Sequence, residues 1–291
     1  MTSAATTSGK PVMPTIDFTQ PVGEPALTSP NSISWRVFKN PVALYIGGTA
    51  AVLLELAEPR VRSGVWDHTS FRSDPLARMQ RTGLAAMVTV YGARSVAENM
   101  IAGITRMHGR VHGETPDGRK YSALEPELMD WVQVTASFGF VQAYHQFVAP
   151  LSVSERDRFY SEAQASAELY GAPGAPENEA RQEALFQRML PQLEASDIVF
   201  EFLDIMQRTK ALPFLLRSLQ PLFLRAAIAI LPPAVRSRLD LDSRHKLKGW
   251  QRALVRTLGI LTERIVLRSA PPAQASQRMG LPANYLYKKT P

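Results

Sequence analysis

The sequence predicts an all-α fold in a single multi-helix domain, on three observations. Apolar residues recur at helical spacing, no run of alternating β-branched residues interrupts them, and Pro and Gly fall where such helices would start and stop. The 291 residues are 45% hydrophobic and 20% charged, which excludes a disordered chain and allows a sizeable core. No internal repeat is visible.

The elements follow in order. Residues 1–30, rich in Ser, Thr, Pro and Ala, read as a flexible N-terminal arm without the apolar stretch of a signal peptide. The first apolar helix is expected over residues 42–56, with a break at Gly47-Gly48 and Pro59 just past its end. Asp74-Pro75 supplies a cap and a first-turn proline for a helix that Gly92 would close after Tyr91. Further helices are expected over 94–111, 126–147, 152–170 (opened by the capping box Ser152-x-x-Glu155 and closed by Gly171), 177–193, 196–209, 212–231 and 245–267. The domain thus spans residues 31–270, and residues 271–291 read as a loose tail.

Composition removes several chemistries. There is no cysteine, so disulfides, thiol catalysis, zinc ribbons and Cys-ligated clusters are excluded. Lys and Arg exceed Asp and Glu by 33 to 26, a net charge of +7, but they are scattered and not interleaved with aromatics, so no nucleic-acid partner is expected. The most apolar stretch, residues 211–231, carries Arg217, Arg225 and two prolines, too many interruptions for a span. It reads either as a buried helix pair or as a face that touches a membrane peripherally, and cytoplasmic residence is expected.

No phosphate loop, dinucleotide glycine motif, nucleophile elbow or His-Glu-x-x-His is present, which leaves the five histidines and the carboxylates. His108 and His112 have the i, i+4 spacing that can place two imidazoles on one metal. Met100, Ile104 and His108 share one helical line, so His108 points into the packed face. A buried imidazole must satisfy both nitrogens, through core hydrogen bonds or by ligating a metal. On the preceding helix, Arg78 and Thr82 are neighbours at the border of the apolar stripe. They can clamp an anionic group or make a surface ion pair and a packing contact.

The run from Gly47 through Glu58-Pro59, Asp67-His68 and Asp74-Pro75 to Arg78-Met-Gln-Arg81-Thr82 resembles the opening motif of the MpaB-type oxygenases, a family that includes the rubber-cleaving latex clearing proteins. Met107-His108-Gly109 and Leu128-Met-Asp-Trp131-Val132 continue the resemblance. It implies an all-α domain enclosing a pocket for haem b (heme, iron protoporphyrin), held by one axial histidine. His108 is then the axial ligand and metal site, with His112, one turn on, as the fallback. Arg78 and Thr82 become haem-edge or distal residues with Arg81 beside them, and His68 a residue supporting the site. Two departures stand out. Many members have Ala-His-Pro where this chain has Ala57-Glu58-Pro59, and Trp-Val-His where it has Trp131-Val132-Gln133. Glu58 therefore reads either as a distal acid/base group or as an exposed helix-end residue.

The implied function is a haem b-dependent oxygenase. It would use dioxygen and an electron donor on an apolar substrate, a small molecule or polymer of alkene or isoprenoid type. A non-catalytic haem protein, and a non-haem metal enzyme built on His108, His112 and Glu114, are the competing readings.

Overall fold

Two long helices, α2 (Pro41–Ala57) and α6 (Pro126–Phe147), form the centre of the fold in a computed structural model that describes residues 15–241 and 245–288. Each begins with proline at its first turn, where the missing N–H costs nothing. The Asn40 side chain caps α2 by accepting from the N–H groups of Val42 at 3.1 Å and Ala43 at 3.0 Å. The two backbones touch. A Cβ on Gly47 would lie 2.8 Å from the Gly139 carbonyl oxygen, and one on Gly139 would collide with the Gly47 carbonyl. The glycines expected to break the first helix instead let another helix approach it, and α2 runs through them unbroken. Farther along, the buried Trp131 donates its indole N–H to the Leu54 carbonyl at 3.2 Å.

Other helices pack around this pair. α11 (Gln220–Ile230) lies against α2, and α13 (Gly249–Thr262) crosses α6 and α2. α4 (Pro75–Tyr91) packs against α5 (Arg94–His108) and, with α1 (Ile33–Phe38), forms a second wall. α7 (Val153–Glu162), α8 (Gln164–Tyr170), α9 (Glu179–Met189), α10 (Asp197–Arg208) and α12 (Pro233–Arg238) complete the shell. The expected helix over 152–170 is thus two helices. Both end signals hold: Ser152 and Glu155 form the capping box, and Gly171 closes α8 at φ +80°.

Three elements depart from the sequence reading. Pro59 follows the end of α2 as expected, but it also opens a further helix, α3 (Pro59–His68), with Glu58 as the shared cap. α5 stops at His108: after the last i→i−4 bond, from the Gly109 N–H to the Thr105 carbonyl, the Arg110 and Val111 N–H groups bond instead three residues back, to Met107 at 3.0 Å and His108 at 2.9 Å, and the chain turns away. Beyond that turn lies a hairpin of β1 (His112–Glu114) and β2 (Lys120–Ser122), with Gly113 opposite Tyr121. Three-residue strands are too short to produce a period that sequence can reveal.

The expected flexible arm and loose tail are corrected for the residues described. Phe18, Ala26 and Leu27 are buried, and residues 271–278 form the helix α14 (Pro271–Arg278). Arg278 is 1% exposed and donates to the carbonyls of Glu24 at 2.9 Å and Phe18 at 3.0 Å, while the Gly23 N–H returns to the Arg278 carbonyl at 2.8 Å. Residues 1–14 and 289–291 of those segments lie outside the described residues. The apolar stretch 211–231 resolves into a short turn and α11, whose Leu222, Phe223, Leu224 and Ile228 belong to the core. No single helix among the described residues is long and apolar enough to cross a membrane.

Gly139→Ala should destabilise the fold by about 2–3 kcal/mol through overpacking at the α2–α6 crossing. Urea unfolding measures this, with Gly118→Ala unsuitable as a control because Gly118 has φ +84° and Gly249→Ala suitable because its Cβ would meet nothing.

Candidate functional site

Three ionisable side chains from three helices converge inside the fold: Glu55 on α2, Arg78 on α4 and His108 at the end of α5. Each retains some accessible surface yet is enclosed on most sides by protein. Burial pushes the Glu55 carboxyl up to about 7, against the opposing pull of the Arg78 guanidinium and the Thr135 hydroxyl. Burial also lowers the Arg78 guanidinium, with Glu55 opposing and Arg81 reinforcing. The His108 imidazole is held below its ordinary value by burial first and by the Arg78 charge second, which favours the neutral ring.

Of the three, only Glu55 has a hydrogen-bond partner, the Thr135 hydroxyl. His108 Nδ1 is buried with no hydrogen bond, and so is the Thr105 hydroxyl on the preceding turn. Arg78 makes no side-chain hydrogen bond or ion pair with any described residue. Apolar side chains on these three helices and on α6 are similarly unfinished: Val52, Met79, Met87, Met100 and Val132 pack on the core but remain only partly buried. An orphaned imidazole nitrogen, an unpaired guanidinium and incompletely covered apolar side chains suit a large, flat, mostly apolar group that carries a metal and anionic edges.

The position of His108 is fixed from behind. The Val111 N–H bonds the His108 carbonyl at 2.9 Å, and the Ala123 N–H bonds the Val111 carbonyl at 2.9 Å, so the hairpin anchors the helix end. α3 anchors the hairpin in turn. His68 Nε2 lies 3.2 Å from the Tyr121 hydroxyl, and Gly64 leaves room for Tyr121 and Val111. The corner between α2 and α3 is locked by Glu58, which accepts from the Val61 N–H at 2.8 Å and from Arg60 Nε at 2.8 Å. Arg60 also reaches Glu127 of α6 at 2.9 Å.

These contacts reassign most of the residues singled out from sequence. Glu58 is fully buried, not an exposed helix end, and its two oxygens serve the α3 cap and Arg60, so it is not free for acid/base work. Thr82 is exposed, and its hydroxyl donates to the Arg78 carbonyl of its own helix at 3.0 Å. Arg81 is exposed and donates to the Ser70 hydroxyl at 2.7 Å. His112 lies exposed on β1, past the helix end, so the helical spacing that would pair it with His108 is not realised. Among the described residues, no group of three His, Asp or Glu side chains could hold a metal ion, which removes the His108–His112–Glu114 site. His68 binds the hairpin rather than this site.

Glu55 was not singled out from sequence, yet a signal was present. It is the only charged residue among the 17 of α2, in a helix otherwise apolar enough for a core. An isolated carboxylate in such a helix must be neutralised, paired or used.

A family model described as ER-bound oxygenase mpaB/B'/rubber oxygenase, catalytic domain, matches residues 35–260. Searches of curated proteins and of solved structures each return no significant match.

In the cofactor-free chain, Glu55 should leave a pH signature on stability. Its folded carboxyl titrates near 7 against an ordinary value of 4.5, so the folded state holds the extra proton in between and stability falls as pH rises through that window. Glu55→Gln should flatten this slope and make the protein more stable at pH 8, by about 1–3 kcal/mol, in urea titrations across the window.

Proposed function

The chain belongs to the mpaB/rubber oxygenase catalytic-domain family, and from that premise we propose a haem b-dependent oxygenase that uses dioxygen on an apolar, alkene or isoprenoid-like substrate. The observation that carries the haem assignment is the buried His108 nitrogen without a partner. His108 would hold the iron, and Arg78 would meet a propionate. When bound, the haem supplies the redox chemistry of dioxygen, and the protein supplies everything around it.

That remainder can be assigned to named residues. The depressed basicity of His108 keeps its ring neutral and its lone pair available at physiological pH. The hairpin, through Val111 and Tyr121, keeps α5 from fraying at the residue that matters. Val52, Met79, Met87, Met100 and Val132 offer apolar surface that excludes water and orients an apolar substrate. Glu55, titrating near neutrality, can hold a proton at its carboxyl and release or take it during turnover without a large energetic penalty. The acid/base role considered for Glu58 therefore moves to Glu55, one turn earlier on the preceding helix.

Haemin titration tests the assignment. The wild-type chain should develop a Soret band, His108→Ala should lose it, and His112→Ala should keep it. Oxygen uptake with squalene as a probe alkene then separates an oxygenase from a haem carrier, and Glu55→Gln should slow it by about a hundredfold while leaving the band in place. No band in the wild type overturns the haem assignment, and a band that survives His108→Ala overturns His108 as its ligand. A band without substrate-dependent oxygen uptake overturns the enzymatic one.

A further inference from the structure

α13 is amphipathic in a way that the core does not require. Its buried stripe consists of Gln251, Val255 and Gly259, and is seated by the Asn40 side chain, which donates to the Gly259 carbonyl at 3.0 Å. A second face, centred about 120° around the helix from that stripe, carries Trp250, Leu254 and Leu261, which fall within about 40° of arc on a helix turning 100° per residue. Trp250 is 64% and Leu261 59% exposed, and Ile265 and Leu267, at 53% and 57%, extend the apolar ridge beyond the helix end.

The charges around the ridge have one sign. Between residues 245 and 268 there are six Lys or Arg, namely Lys246, Lys248, Arg252, Arg256, Arg264 and Arg268, all exposed. The single acid, Glu263, is turned inward to Lys39 at 2.9 Å and to the Tyr144 hydroxyl at 2.7 Å. Arg252 and Arg256 lie on the far side of the helix from the ridge, where they border a cavity of about 420 Å³ and Arg252 donates to Gln146 at 3.1 Å, so the cations beside the ridge are those at its two ends, Lys246 and Lys248 before it and Arg264 and Arg268 after it.

We propose that this face of α13 is a peripheral docking surface for an anionic lipid bilayer. The ridge is convex and apolar, so its side chains can reach the acyl boundary while the flanking ammonium and guanidinium groups stay at headgroup level. Trp250 sits at one end of the ridge, where an interfacial aromatic would lie. A second copy of the chain is a poorer occupant. A two-fold interface sets a patch against itself, and here that would oppose arginine to arginine with no exposed acid within 245–268 to relieve it. Within the stretch expected from sequence, residues 211–231, the part from Gln220 on is mostly core, while Phe214 (78%) and Leu216 (41%) are exposed; α13 adds a longer exposed apolar ridge with cations at its ends. The proposal does not depend on haem binding or on turnover.

The chain carries its own reporter, because Trp35, Trp66 and Trp131 are buried and Trp250 is exposed. The full chain should cosediment with vesicles of phosphatidylcholine containing roughly a third phosphatidylglycerol, and much less with phosphatidylcholine alone. Its tryptophan emission should shift to the blue on binding, and Trp250→Ser should abolish the shift. Leu254→Gln with Leu261→Gln should weaken binding by about tenfold or more. Arg264→Gln and Arg268→Gln should cost about fivefold each and reduce the salt dependence. All five side chains are exposed, so unchanged thermal unfolding verifies that the variants fold. Three results overturn the proposal: no binding to the anionic vesicles, binding that these variants leave intact, or a blue-shifted Trp250 without lipid that tracks self-association in sedimentation velocity.

Discussion

The rest of the structure depends on the contact between the backbones of α2 and α6 at Gly47 and Gly139. Helices that approach this closely leave no volume for side chains between them, so the contact fixes both their separation and their rotation. Rotation is the consequential part. Glu55 lies eight residues beyond Gly47, about 12 Å along the same axis, and its direction follows from the phase set at the crossing. Trp131 secures that phase from the other side through the Leu54 carbonyl, immediately before Glu55. A single steric condition in the centre of the protein thereby aims a carboxylate toward Arg78 and His108.

Interior charges that find no close partner are costly, and a fold retains few of them without a use. Glu58 and Arg60 illustrate the ordinary solution, a buried carboxylate with both oxygens occupied and a guanidinium shared among several acceptors. Glu55, Arg78 and His108 differ in kind. They influence one another electrostatically, and among them only Glu55 has a hydrogen-bond partner, the Thr135 hydroxyl. The contrast between two carboxylates three residues apart, one ion-paired and capping a helix and one held by a single hydroxyl, separates the scaffold from the site more sharply than either residue type does.

Much of the scaffold was legible in the sequence. α4 and α6 begin and end where proline, cap and glycine signals place them, because those signals act locally. The direction of His108 followed from the same helical phase. Longer-range features were not legible. Gly47-Gly48 reads as a break unless the facing Gly139 is known, and the turn at Gly109 competes with an apolar helix pattern that runs on to Val111. Glu58 was misplaced because Pro59 fits the position after a helix as well as the first position of the next one. Glu55 was passed over because its meaning comes from groups on other helices.

The mutual grip of the two chain ends has a consequence for what counts as the domain. The family match covers residues 35–260, whereas the segment 15–30 and α14 both lie outside it and hold each other through Arg278. α14 rests against α4, and the Arg94 N–H at the head of α5 bonds the Pro25 carbonyl at 2.8 Å. These are the helices that bear Arg78 and His108. The unit shared by inheritance is therefore smaller than the unit that is cooperatively assembled, and trimming either terminus would reach the site without touching a residue in it.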